Sequence, residues 1–97
     1  MNKITEDTVL GSGDVFADLG FPDAPIMRLK SQVATEIVRT LGRRELSMRA
    51  GAKETGATAA DLSRICNADL DRFTLDRLVR IAERLGCRVQ IRVSRAA

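Results

Sequence analysis

The chain has no histidine, tryptophan or tyrosine, and only three phenylalanines among its 97 residues. Histidine is the side chain that most readily moves protons near neutral pH, and its absence removes the commonest general acid or base. The acids present occur singly on expected helix surfaces or in the leading segment, so no catalytic residues are expected and the protein is not read as an enzyme. Two cysteines, Cys66 and Cys87, are all the thiols there are. A structural zinc site needs four ligands, so no metal is expected, and both thiols read as small buried apolar groups in a reducing compartment. Gly11-Ser12-Gly13 lacks the Lys-Ser/Thr of a phosphate-cradling loop and follows no suitable strand, so no cofactor is expected. No apolar run approaches the roughly 18 residues of a membrane span, and no charged-then-apolar signal segment opens the chain. A cytoplasmic location with no membrane partner is the expectation.

Charge is present and unevenly distributed. Residues 1–23 carry Lys3 against Glu6, Asp7, Asp14, Asp18 and Asp23, a net of −4, whereas residues 24–97 hold 15 basic and 8 acidic side chains, a net of +7. The overall +3 therefore conceals an acidic N-terminal arm (1–23) and a basic domain (24–97). A basic body suits a polyanion, because each phosphate it neutralises releases condensed counterions; the alternative is that the 13 arginines only solvate the surface. The length fits one small domain with little core to spare, for which a second subunit would be stabilising.

Hydrophobic spacing gives the elements. Asp23 is placed to cap a helix opening on Ala24-Pro25, where a proline forfeits no hydrogen bond. Ile26, Leu29, Val33, Ile37 and Leu41 then recur at three and four residues, predicting one long amphipathic helix that stops at Gly42. Ser47 is placed to cap a short helix over 48–55, weakened by Gly51 at a cost of about 1 kcal/mol against alanine. Gly56 supplies the left-handed turn after it, and Ala52, one turn earlier, is small enough to allow a close helix crossing. Thr58 and Asp61 have the Thr-x-x-Asp spacing of a capping box at the start of the next helix, on which Leu62 and Ile65 form the buried stripe. Ala59, Ala60, Ser63, Arg64 and Asn67 are left facing outward. After a polar loop over 68–72, Thr74 caps a last helix stopped at Gly86, with Phe73 and Leu78 spaced as a hydrophobic staple. Leu75, Leu78, Val79, Ala82 and Leu85 form its apolar face.

Beyond it Cys87, Val89, Ile91 and Val93 alternate with Arg88, Gln90 and Arg92, as on a half-buried strand. Such a strand needs a neighbour, either the same strand of a two-fold mate or the chain's own segment around 8–16. Phe16, Leu19 and Phe21 read as cover for the core.

Two short helices joined at Gly56 form a helix-turn-helix, in which the first braces the second so that the second lies in a DNA major groove. With the leading Gly13-Asp14-Val15-Phe16-Ala17-Asp18-Leu19-Gly20-Phe21-Pro22-Asp23 and the trailing Phe73-Thr74-Leu75-Asp76-Arg77-Leu78, Leu85-Gly86 and Val89-Gln90-Ile91, the chain resembles XRE (Cro/CI-type) regulators, and within them HigA-type antitoxins. It departs from the family pattern at Met48, Gly51 and Thr55 of the bracing helix and at Ala59-Ala60 of the reading helix. The resemblance implies an all-α, lambda-repressor-like domain of four to five helices with a short C-terminal β-strand. It also implies a homodimeric repressor that binds an operator in double-stranded DNA, pairs with a small RNase toxin and autoregulates its operon, residues of Met1 to Ser12 wrapping the toxin. The alternatives are a protein-binding toxin neutraliser with weak DNA binding, and a stand-alone regulator.

Position assigns the contacts. Arg64 and Ser63 reach base edges, arginine through two hydrogen bonds to guanine; Thr58 offers its backbone N–H to a phosphate; Ala59 and Ala60 give close apolar contacts, and Asn67 completes the outward face. Arg49, Lys53 and Arg72 are the expected phosphate contacts. The alternative for Arg64 is an exposed salt bridge to Asp61.

Overall fold

A computed structural model describes residues 24–95, and among these described residues there are four helices: α1 (Ala24–Arg43), α2 (Met48–Thr55), α3 (Ala59–Cys66) and α4 (Leu75–Arg84). The Asp23 cap, the acidic arm, the packing of Phe16, Leu19 and Phe21 and any pairing with residues 8–16 lie outside the described residues.

The long α1 lies against α4, and the α2–α3 pair packs on both. Among the described residues Phe73, Ile37, Leu62, Ile65 and Leu78 are the largest fully buried side chains, and they come from every part of this arrangement except α2. The shortest helices lean hardest on this packing, because eight residues are too few to hold a helix alone in water. On α1 the predicted stripe is buried at Ile37 and Leu41, with Ala34 and Thr40 beside them, but its first member, Ile26, is 44% exposed. On α4 Leu78, Ile81 and Ala82 are buried while Leu75 and Val79 are half-buried, so Ile81 takes the central place that spacing had given to Val79.

The ends of the helices explain the turns. Ser47 Oγ accepts from the Ala50 N–H at 3.0 Å, Thr58 Oγ1 from the Asp61 N–H at 2.9 Å and Thr74 Oγ1 from the Arg77 N–H at 3.2 Å, each satisfying a donor that the first turn leaves without a partner. Phe73 and Leu78 are both buried, as the staple requires. Gly56 (φ 80°) and Gly86 (φ 98°) end α2 and α4 in the left-handed conformation. At Gly86 both bonds of a Schellman motif form, Cys87 N–H to Ala82 O and Gly86 N–H to Glu83 O, each 3.0 Å.

Gly42 does not stop α1. The helix continues through it to Arg43, and Glu45 makes the reversal at φ 54°, with Leu46 N–H donating to Leu41 O at 2.9 Å and Glu45 N–H to Gly42 O at 3.0 Å. Leu41 belongs to the core cluster and Leu46 packs against it, and that apolar burial fixes where the turn falls. The end of α3 repeats the device with Ala68 at φ 61°, Asp69 N–H donating to Arg64 O at 2.8 Å and Ala68 N–H to Ile65 O at 3.0 Å.

The expected C-terminal strand is not formed. Residues 87–95 have no regular secondary structure, because a strand exists only through a hydrogen-bonded neighbour and no described residue provides one. The alternation survives in burial as far as Val89: Cys87 and Val89 pack on the core while Arg88 and Gln90 are exposed. Further on, Ile91 and Val93 are 56% and 88% exposed. The cysteines also depart from expectation. Both are free thiols, Cys66 is exposed and Cys87 half-buried, with Sγ 3.3 Å from Thr40 Oγ1. Cys66 follows Ile65, which takes the core-facing place at the end of α3.

Candidate nucleic-acid interface

The motif that would meet DNA is α2–turn–α3, and a close approach falls at Gly51, one residue before Ala52. A β-carbon on Gly51 would stand 2.9 Å from both Leu41 Cδ2 and Leu62 Cδ1, whereas Ala52 is half-buried at the edge of the core. The signal available beforehand was a glycine in mid-helix, which is costly unless something must approach closely.

The turn is held from three sides. Gly56 N–H donates to Ala52 O at 2.9 Å. Buried Thr55 donates from Oγ1 to Gly51 O at 2.8 Å and accepts from Ala57 N–H at 3.2 Å, so its hydroxyl is satisfied locally. Arg84 reaches across from α4 to within 3.5 Å of Thr55 O. Arg44, in the α1–α2 turn, donates to both Glu54 carboxylate oxygens and to Leu85 O at 3.1 Å, tying α2 to the end of α4. The angle at which α3 is presented is therefore set by the whole domain.

On α3, Ala59, Ala60 and Ser63 are exposed as expected, as are Asn67 just past its end and Thr58 at its N-terminus. Arg49 and Lys53 stand one turn apart on the exposed side of α2, and Arg72 is exposed in the loop before α4. Among the described residues none of these three cations is paired, which leaves their charge available to a phosphate. No hydrogen bond or ion pair among the described residues draws them together with α3.

Arg64 is different. Its side chain is 33% exposed and its Nη1 donates to Asp61 Oδ1 at 2.9 Å, so the salt bridge that sequence offered as an alternative is formed. Asp61 also accepts at Oδ2 from Arg77 Nη2 at 2.7 Å, and the Arg77 guanidinium lies over the Phe73 ring at 5.1 Å. Arg77's hydrogen bond, followed by its charge and the contacts of Arg64, holds the Asp61 carboxyl below the usual carboxylate range despite the opposing effect of burial. The capping box is accordingly half-formed: Thr58 caps Asp61, but the Asp61 carboxylate is engaged by two arginines. Sequence reasoning missed Arg77, which stands sixteen residues from its partner and has no local signature.

The family model of the helix-turn-helix domain matches residues 15–94, and the chain belongs to that family, broadly of the XRE type. No curated protein and no solved structure matches it. The helix-turn-helix makes the protein a DNA-binding regulator. Among the described residues no helix is long and apolar enough to cross a membrane, and no group of His, Cys, Asp or Glu is assembled to hold a metal.

Proposed function

We propose that the protein is a homodimeric, sequence-specific repressor that binds an operator in double-stranded DNA and acts as the antitoxin of a toxin–antitoxin operon, with no enzymatic activity and no cofactor, in the cytoplasm. The observation that carries sequence-specific binding is the exposed face of α3, with Ser63 and Arg64 on a capped helix whose presentation is fixed by Gly51, Gly56 and Arg84. In this reading Arg64 and Ser63 contact base edges, Ala59, Ala60 and Asn67 line the same groove, Thr58 N–H meets a phosphate at the helix N-terminus, and Arg49, Lys53 and Arg72 neutralise the backbone.

Dimerisation is supported by the exposed Ile91 and Val93 on a segment that lacks a strand partner among the described residues. A two-fold mate would pair that segment and bury both side chains. The antitoxin role rests on resemblance to HigA-type proteins at the motifs quoted above. A stand-alone regulator is the competing reading.

Two measurements test the proposal. Titration of the protein with DNA from upstream of its own gene should show a preference over scrambled DNA of equal length, and equal affinities would refute sequence-specific repression. Co-expression with the product of an adjacent small open reading frame should yield a co-purifying complex; its absence, or an isolated gene, would favour the stand-alone regulator.

A further inference from the structure

We infer that Arg77 is a positioning residue for base readout, acting through Asp61 to hold Arg64 in place; this deepens the proposed reading of Arg64 as the guanine contact and rests on it. The geometry is a relay from the core to the reading face. Phe73 is 1% exposed in the core, the Arg77 guanidinium lies 5.1 Å above its ring, Arg77 Nη2 donates to Asp61 Oδ2 at 2.7 Å, and Asp61 Oδ1 accepts from Arg64 Nη1 at 2.9 Å. Both intermediates are also fixed by their backbones, since the Asp61 and Arg77 N–H groups cap onto Thr58 and Thr74.

The chemistry suits positioning better than stability. The arginine side chains are 33% (Arg64) and 43% (Arg77) exposed around an Asp61 that is 13% exposed, and ion pairs with partners this open to solvent add only modestly to folding. An arginine that is free in solution must lose conformational entropy when it docks on a base edge, and one already restrained loses less. Arg64 gives one Nη1 proton to Asp61, which leaves four N–H donors for a guanine. A carboxylate beside DNA repels phosphate, and Arg77 offsets that charge while keeping the carboxylate where Arg64 needs it.

The relay has a signature that a phosphate contact lacks. The full-length protein selects its preferred site from a randomised DNA pool, and affinities for that site and for scrambled DNA are then measured across a salt series, with circular dichroism checking that each variant folds. Arg77→Ala should lower the preferred-to-scrambled ratio by about 3- to 10-fold with an unchanged salt slope, and Arg77→Lys should restore part of it. Asp61→Asn should lower the ratio while raising affinity for scrambled DNA, because it removes a repelling charge. In an Arg64→Ala background, Arg77→Ala should leave the ratio where Arg64→Ala put it.

Equal losses on both DNAs with a shallower salt slope would make Arg77 a phosphate contact and overturn the relay. So would a fall in ratio that persists without Arg64. If Arg64→Ala alone leaves the ratio unchanged, the assignment of Arg64 as reader fails, and the relay fails with it.

Discussion

Gly51 and Leu62 approach so closely that a side chain on the glycine would collide: a β-carbon there lies 2.9 Å from Leu62 Cδ1, with Leu41 Cδ2 at the same distance. Both leucines are 3% exposed or less, so neither has open space to retreat into. Two effects oppose each other in Gly51→Ala. Helix propensity favours alanine by about 1 kcal/mol, and overpacking a filled core costs about 1 to 3 kcal/mol. The second wins, so Gly51→Ala should destabilise the domain and Gly51→Val should do so more strongly in urea unfolding. A stabilised alanine variant would show that the α2–α3 crossing has slack.

Ala68 and Glu45 occupy left-handed positions where glycine carries no steric cost. Relief of that strain outweighs the greater freedom of glycine in the unfolded chain, so Ala68→Gly should raise stability by about 0.5 to 1 kcal/mol. Gly56→Ala should act the other way, by about 1 to 2 kcal/mol, since φ is 80° and Arg84 Nη1 stands 3.3 Å from the added carbon. Thermal melts of the two variants should move in opposite directions.

These turns mark how far the sequence could be read. Ser47, Thr58, Thr74, Gly56 and Gly86 declare themselves locally, because capping oxygens and left-handed glycines act within a few residues of where they stand. Glu45 and Ala68 do not, since nothing in either side chain favours a left-handed backbone; at Glu45 the stop is imposed by Leu46 packing against the core. The alternation at Val89, Ile91 and Val93 is plain in the sequence, but a strand belongs to two segments and only one is read. At the candidate interface, the outward places of Ala59, Ala60, Ser63 and Asn67 follow from helical period alone. The tie of Asp61 to Arg77 needs the tertiary fold.

Acid should reveal that tie. Because the folded carboxyl of Asp61 is held below its ordinary value, its contribution to stability is complete above the unfolded value of about 3.9 and is lost as pH falls through the lower folded value. The stability gap between wild type and Asp61→Asn should therefore be steady near neutrality and narrow below about pH 3.9. A gap that does not change with pH would mean that the two arginines contribute nothing through the carboxylate.

The exposed tail gives a test of assembly. Light scattering should show a dimer at tens of micromolar, and Ile91→Asp should yield monomers by placing a charge in the seam. In the dimer the two α3 helices would meet successive major grooves about 34 Å apart. A wild-type monomer would remove that geometry.

The central claim, that α3 reads sequence through Arg64, is tested most directly by titrating wild type, Arg64→Ala and Arg49→Ala against operator and scrambled DNA over a range of salt. Arg64→Ala should weaken operator binding by about 1 to 3 kcal/mol and flatten the preference at one base pair in each half-site. Arg49→Ala should weaken binding to both DNAs alike and make the salt dependence shallower, because a phosphate contact carries no sequence information. Equal losses on both DNAs from Arg64→Ala would contradict the claim and leave α3 touching only the backbone.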